Sequence, residues 1–151
     1  MKESNNRQSR RRAADVKALA MSTHFLNEED DGSFICLLKG PKDTPYSKMQ
    51  WRVRVQLPHT YPFRSPSVGF VDKIFHPNVD IRSGTICLNA LNHEWTPVYN
   101  LISIIEVLLP QLLTYPNPDD PLNAEAAQLL LKDNATFAQK CSEYRGMPES
   151  C

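Results

Sequence analysis

Four cysteines and four histidines are the side chains of this 151-residue chain best suited to nucleophilic or proton-transfer chemistry. Cys36 lies in an apolar run and Cys141 on an apolar helical stripe, settings in which a free cysteine is ordinarily a small buried hydrophobe. Cys151 is terminal, with nothing nearby to orient it. Cys87 differs. It sits in Ser83-Gly84-Thr85-Ile86-Cys87-Leu88-Asn89, inside a stretch from Phe75 to Pro97 that has no regular period, and Gly84 can relax the backbone ahead of it. On position alone Cys87 is equally a buried hydrophobe or a reactive thiol. A cysteine hydrolase would also need a histidine to take the thiol proton and a third group to hold that histidine. His24, His59, His76 and His93 are available, and the sequence puts none of them beside Cys87. His76, followed by Pro77, reads as a packing or turn residue. No cysteine or histidine pair has the spacing of a zinc clip or a redox dithiol, so no metal site is expected.

The elements that must position these residues can be read from periodicity. Residues 1–8 are polar and expected to fray. A helix is predicted from about Ser9 to Met21, with Ala13, Val16, Leu19 and Ala20 on one face. Strands follow at Ser33–Lys39, at Trp51–Leu57 (where apolar and polar residues alternate) and at Ser67–Val71, joined by short links as an antiparallel meander. Pro58, Pro62 and Pro66 forbid a helix in the connection between the last two, and Tyr61-Pro62 is a candidate cis bond. A helix apolar almost all round is predicted from about Tyr99 to Leu113, buried on most sides and kinked or ended near Pro110. Two helices close the chain, capped by Asn123 and by Asp133 or Asn134. One domain over residues 9–146 is expected, with 147–151 a short tail.

Lysine plus arginine and aspartate plus glutamate number 17 each, so whole-molecule charge draws the chain to neither nucleic acid nor membrane. The charge is uneven. Arg7, Arg10, Arg11, Arg12 and Lys17 precede residue 20, and Glu28 to Asp31 follow it. Either cluster serves equally as solvated surface. The basic one stands at the predicted helix start, where the dipole favours acids, so a partner that reads positive charge would account for it. With no apolar leader and no span fit for a bilayer, the expected setting is reduced, cytoplasmic or nuclear.

Several motifs in register resemble the ubiquitin-conjugating enzyme family. Phe75-His76-Pro77-Asn78, Gly84-Thr85-Ile86-Cys87-Leu88 and Trp95-Thr96-Pro97 are similar to its active-site stretch. Tyr61-Pro62-Phe63-Arg64-Ser65-Pro66 is similar to its proline loop, Thr44-Pro45-Tyr46 to its second turn, and Tyr115 to Asn123 to the segment before its last helices. The similarity covers roughly residues 10–146. Within the family, Lys73 to Asn78 and Leu109 to Leu113 most resemble the enzyme H branch.

The resemblance implies an α+β fold: an N-terminal helix, a four-stranded antiparallel meander, a buried central helix and two C-terminal helices. It implies that Cys87 accepts ubiquitin as a thioester from the activating enzyme and that, with a ligase, the chain transfers it to a substrate lysine. Thioester exchange between similar leaving groups needs access and a workable thiol pKa, not a histidine base. Aminolysis is harder, because an oxyanion develops. By resemblance Asn78 either binds that oxyanion or braces the loop, and Asp120 orients the incoming lysine. As a residue, Asp120 also reads as a helix-start acid before Pro121. Phe63 and Pro97 are implied to meet a RING-type ligase, and Arg10, Arg11 and Arg12 the activating enzyme. No cofactor is implied, since ATP is used by the activating enzyme. The implied partners are ubiquitin, both enzymes and substrate proteins. Rival readings are an inactive ubiquitin-binding variant, which would typically lack the cysteine, and a carrier of another modifier. Two departures stand out: Asn89 where many members have an acid, and Ser47-Lys48-Met49 in place of a glycine-rich turn.

Overall fold

The computed structural model describes residues 2–86, 95–144 and 147–148. Cys87, Asn89, His93 and Cys151 lie outside the described residues. Helix α1 (Lys2–Ala20) is followed by strands β1 (Phe25–Glu28), β2 (Phe34–Lys39), β3 (Met49–Gln56) and β4 (Ser67–Phe70). Helix α2 (residues 101–114), α3 (Ala124–Lys132), α4 (Asn134–Glu143) and the two-residue strand β5 (Met147–Pro148) complete it. β1 to β4 form the expected antiparallel meander, in spatial order β1-β2-β3-β4. β5 adds to β3 beside Met49 and Gln50, where a plain tail was expected.

The alternation in β3 gives one face to the core and one to water. Trp51, Val53 and Val55 are buried, whereas Arg52, Arg54 and Gln56 are exposed. Cys36 and Leu38 of β2 meet the same core, and Leu101, Ile104, Leu108 and Leu109 of α2 fill it. β1 was not legible in advance: three of its four residues are exposed. Its hairpin turn uses the acidic cluster. Asp31 Oδ1 accepts from the Ser33 main-chain N–H at 2.9 Å and from its hydroxyl at 2.6 Å. The expected caps are present, with Asn123 Oδ1 accepting from Ala126 N–H and Asp133 Oδ1 from Thr136 N–H. Tyr61-Pro62 is cis, as expected.

Pro110 neither ends nor breaks α2. The helix runs as α over Leu101–Ser103, as π over Ile104–Leu108, and as α again over Leu109–Thr114. The Leu109 N–H donates to the Ile104 carbonyl, five residues back. In a regular α-helix the proline ring would strike the carbonyl four residues earlier, and the widened turn relieves that crowding.

The turn from Gly40 to Met49 keeps a glycine-type backbone without the glycine. Lys48 has φ of 65°, a region in which its Cβ crowds the following carbonyl. Replacing Lys48 with glycine is expected to stabilise the protein by about 0.5–1 kcal/mol, measured as a higher urea midpoint at unchanged slope. Gly40 is different: a Cβ there would stand 1.7 Å from the Tyr46 carbonyl oxygen, so no side chain fits.

Candidate active site

The site is built on the irregular segment that follows β4. Residues Ile74 to Val79 are all buried, and hydrogen bonds lock their path. The Asn78 main-chain N–H donates to His76 Nδ1 at 2.9 Å. His76 Nε2 lies 2.9 Å from the Leu112 carbonyl of α2. A carbonyl only accepts, so the ring proton sits on Nε2 and both ring nitrogens are committed. Burial pushes the His76 pKa down to about 4, although the Leu112 carbonyl acts the other way. The imidazole is thus a neutral strut between the loop and α2, in line with its expected packing role.

A stability consequence follows with a definite sign. The unfolded chain protonates this ring near the usual 6.5, and the folded chain resists until about 4. Stability contributed by the neutral ring is therefore full above pH 6.5, declines as pH falls through that window and levels off below about 4, a total on the order of 3 kcal/mol. In an NMR titration His76 is expected to show no imidazole shift between pH 7 and 5; a midpoint near 6.5 would contradict this.

Asn78 is 1% exposed and spends its amide on one neighbour. Its Nδ2 donates to the Asn117 carbonyl at 2.7 Å, and its Oδ1 accepts from the Asn117 N–H at 2.9 Å. Pro77 offers a second anchor, its carbonyl accepting from the Leu122 and Asn123 N–H groups at 2.9 and 3.0 Å. Exposed Asp120 stands on the loop between these two anchors. The buried Asn78 amide therefore sets where an exposed carboxylate can be.

The approach to Cys87 is equally constrained. Gly84 has φ of 77°, and a Cβ there would lie 2.0 Å from the Phe70 carbonyl oxygen. Glycine alone satisfies both conditions. The Phe70 N–H donates to Gly84 O at 2.7 Å. Thr85 then bridges to Gly69, and Ile86 to Val79. The residue before Cys87 is thus paired with the residue after Asn78. Elsewhere, Cys36 and Cys141 are buried, and burial pushes both thiols up to about 11.

Phe63 and Pro97 are both exposed and lie on loops that are tied together. The Trp95 indole N–H donates to the Pro62 carbonyl at 2.9 Å, and its ring packs on Tyr61 and Tyr99. Phe63 is 70% exposed, and Val98, on the other of the two tied loops, is 89% exposed. Val98 was missed in the sequence because one aliphatic residue in a loop has no period; only its place after Thr96-Pro97 hinted at it.

The three arginines do not stand as expected. α1 begins at Lys2, so Arg10, Arg11 and Arg12 lie more than two turns inside the helix and not at its positive end. Gln8, expected to fray, is bonded to the proline loop. Arg11 and Arg12 are half-buried and donate to the Tyr99 and Pro58 carbonyls, at 2.5 and 3.1 Å. Only Arg10 is exposed, with its Nε 3.3 Å from the Asn6 carbonyl. The expected placement at an unfavourable helix start is therefore corrected, and two of the three hold loop carbonyls. Ala13 and Ala20 are exposed, and of the predicted apolar face Leu19 alone is fully buried. Among the described residues no group of three or more His, Cys, Asp or Glu could hold a metal ion.

A sequence model of the ubiquitin-conjugating enzyme family matches residues 4–145. The chain belongs to that family. This ubiquitin-conjugating enzyme is 48% identical over 138 residues to ubiquitin-conjugating enzyme E2 5 of Arabidopsis thaliana, covering 90% of this chain and 75% of that one. It is 50% identical over 137 residues to the 24 kDa ubiquitin-conjugating enzyme of Saccharomyces cerevisiae, covering 89% of this chain and 63% of the relative. Among solved structures, the ubiquitin-conjugating domain of a Toxoplasma gondii enzyme matches with a TM-score of 0.77 at 28% identity, covering 91% of this chain and 99% of that one. The expected fold and transferase class of this ubiquitin-conjugating enzyme agree with these relatives.

Proposed function

We propose that this ubiquitin-conjugating enzyme receives ubiquitin from the activating enzyme as a thioester on Cys87, and that a RING-type ligase promotes its transfer to a substrate lysine. One observation supports the reading: the Ile86–Val79 bridge holds the residue before Cys87 against the residue after Asn78. Burial of Cys36 and Cys141 supports it by leaving those two thiols without access. In the transfer step the lysine nitrogen attacks the thioester carbonyl, an oxyanion forms, and the Cys87 thiolate leaves as the carbonyl is restored. Asn78 braces the loop that carries Asp120. An amide nitrogen has two hydrogens and Asn117 takes one, so the other is chemically able to serve the oxyanion. Asp120 orients the incoming lysine and favours its neutral, reactive form: the ammonium proton passes to solvent before attack, and the second proton lost by nitrogen as the amide forms goes to the departing thiolate. No cofactor takes part, because ATP is used by the activating enzyme. Arg10, the exposed member of its trio, meets an acidic face of that enzyme in this reading. The setting we propose is cytoplasm or nucleus; among the described residues no helix is long and apolar enough to cross a membrane.

The test is to mix the protein with activating enzyme, ATP and a panel of modifiers. A reductant-sensitive adduct with ubiquitin is expected, and an adduct with a different modifier alone would overturn the reading. The ligase is tested separately. Phe63→Ala is expected to charge normally and lose at least ~10-fold of the ligase-stimulated discharge, as removal of an exposed aromatic anchor from an interface does. Unchanged stimulation across a panel of RING ligases would remove Phe63 from that role.

A further inference from the structure

Across its middle, α1 turns polar side chains toward the rest of the domain. Gln8, Arg11, Arg12 and Asp15 follow the i, i+3, i+4, i+7 spacing of one helix face, and Val16 and Leu19 carry that face into the core. Each of the four polar groups is bonded to one of the two loops that present Phe63 and Val98. Gln8 Nε2 donates to the His59 and Tyr61 carbonyls at 2.7 and 2.9 Å. Arg12 donates to the Pro58 carbonyl at 3.1 Å. Arg11 Nη2 donates to the Tyr99 carbonyl at 2.5 Å, while its Nε donates to Asp15 Oδ2 at 2.6 Å. The same Asp15 oxygen accepts the Tyr61 hydroxyl at 2.5 Å. Asp15 is thus the node between the loop of Tyr99, next to Val98, and the loop of Tyr61, two residues from Phe63.

The need for such a face is physical. The 57–66 connection holds three prolines, which have carbonyls but no N–H, so its acceptors outnumber its donors. α1 supplies the missing donors from side chains. We infer that Gln8, Arg11 and Asp15 are positioning residues for ligase docking: they hold the backbones of both loops so that Phe63 and Val98 present one preformed apolar surface. The inference rests on the ligase-docking reading of those two side chains. Preformed loops avoid an ordering cost when the partner closes on them.

The experiment uses full-length enzyme already charged with ubiquitin, so loading is bypassed. Gln8→Met keeps chain length and charge but removes both donated bonds, Asp15→Asn weakens the node, and Gln8→Lys restores a donor. Discharge to free lysine is measured across RING ligase concentrations, together with amide hydrogen exchange. In Gln8→Met and Asp15→Asn, the ligase concentration for half-maximal stimulation is expected to rise about 5-fold, as loss of one net hydrogen bond gives. Unstimulated discharge and the rate at saturating ligase should be unchanged. The amides of Phe63 and Arg64, bonded to Thr60, should exchange faster while those of β3 do not. Gln8→Lys should recover most of the shift. The inference is overturned if both variants lower the melting temperature yet leave the half-maximal concentration unmoved, or if loop exchange accelerates with no change in that concentration. If Phe63→Ala itself leaves stimulation intact, the docking reading falls first and takes this inference with it.

Discussion

Replacing Cys87 with alanine is expected to abolish the ubiquitin adduct altogether, while Cys87→Ser leaves an adduct that resists reductant. The contrast is chemical: a serine ester is not cleaved by thiols, a cysteine thioester is. The buried cysteines set the background. With a thiol pushed up to about 11, roughly one molecule in ten thousand carries thiolate at pH 7, before access is considered. Cys36→Ala and Cys141→Ala are therefore expected to charge at normal extent once corrected for folded fraction. Gel analysis with and without reductant decides the matter. If Cys87→Ala still charges while a variant of Cys36, Cys141 or Cys151 does not, the nucleophile is misassigned.

Asn78→Ala is expected to charge nearly normally but to discharge to free lysine ~10- to 1000-fold more slowly. Two physical routes lead to that loss. The variant removes the donor that could meet the oxyanion, and it leaves the Asn117 N–H and carbonyl without their partners. A double-mutant cycle with Asp120→Ala separates them. If Asn78 acts by bracing, the Asp120 carboxylate is already misplaced in Asn78→Ala, and its removal costs little more. If Asn78 acts as an oxyanion donor, the two losses multiply. Equal loss in charging and discharge would mean that the loop, and not the transfer step, is damaged.

The parts that were legible in the sequence are those governed by local rules. β3 was legible because one face is wet and the other dry, and the Asn123 and Asp133 caps because a short polar side chain before a helix has few other uses. The start of α1 was hidden for a matching reason: its inward groups are hydrogen-bonding side chains, so no apolar period marks Gln8, Arg11 or Asp15. The same omission made the arginines look misplaced, since a helix begun at Lys2 has its positive end elsewhere. β1 and β5, of four and two residues, are too short to carry a period, and the π turn answers the crowding of Pro110 against the preceding turn of α2, which no period marks. At the site, Asn78, Asp120 and Phe63 were recognisable only through the family motifs. The backbone anchors at Pro77 and Asn117, which give those residues their geometry, involve carbonyl and N–H groups that every residue type shares.

The protein has two tryptophans, and they stand in different optical environments. Trp51 is sealed in the core, its indole N–H on the Lys73 carbonyl at 3.1 Å. Trp95 links the loops of Phe63 and Val98 through the Pro62 carbonyl, its ring tilted against Tyr61 and Tyr99. An indole's emission responds to nearby water and to the dipoles around it. With Trp51 exchanged for phenylalanine, tryptophan emission would come from one ring alone, which lies under the surface proposed to dock the ligase. The molecule therefore contains a native, dye-free gauge of that surface, able to follow partner arrival in a stopped-flow cell on the millisecond scale.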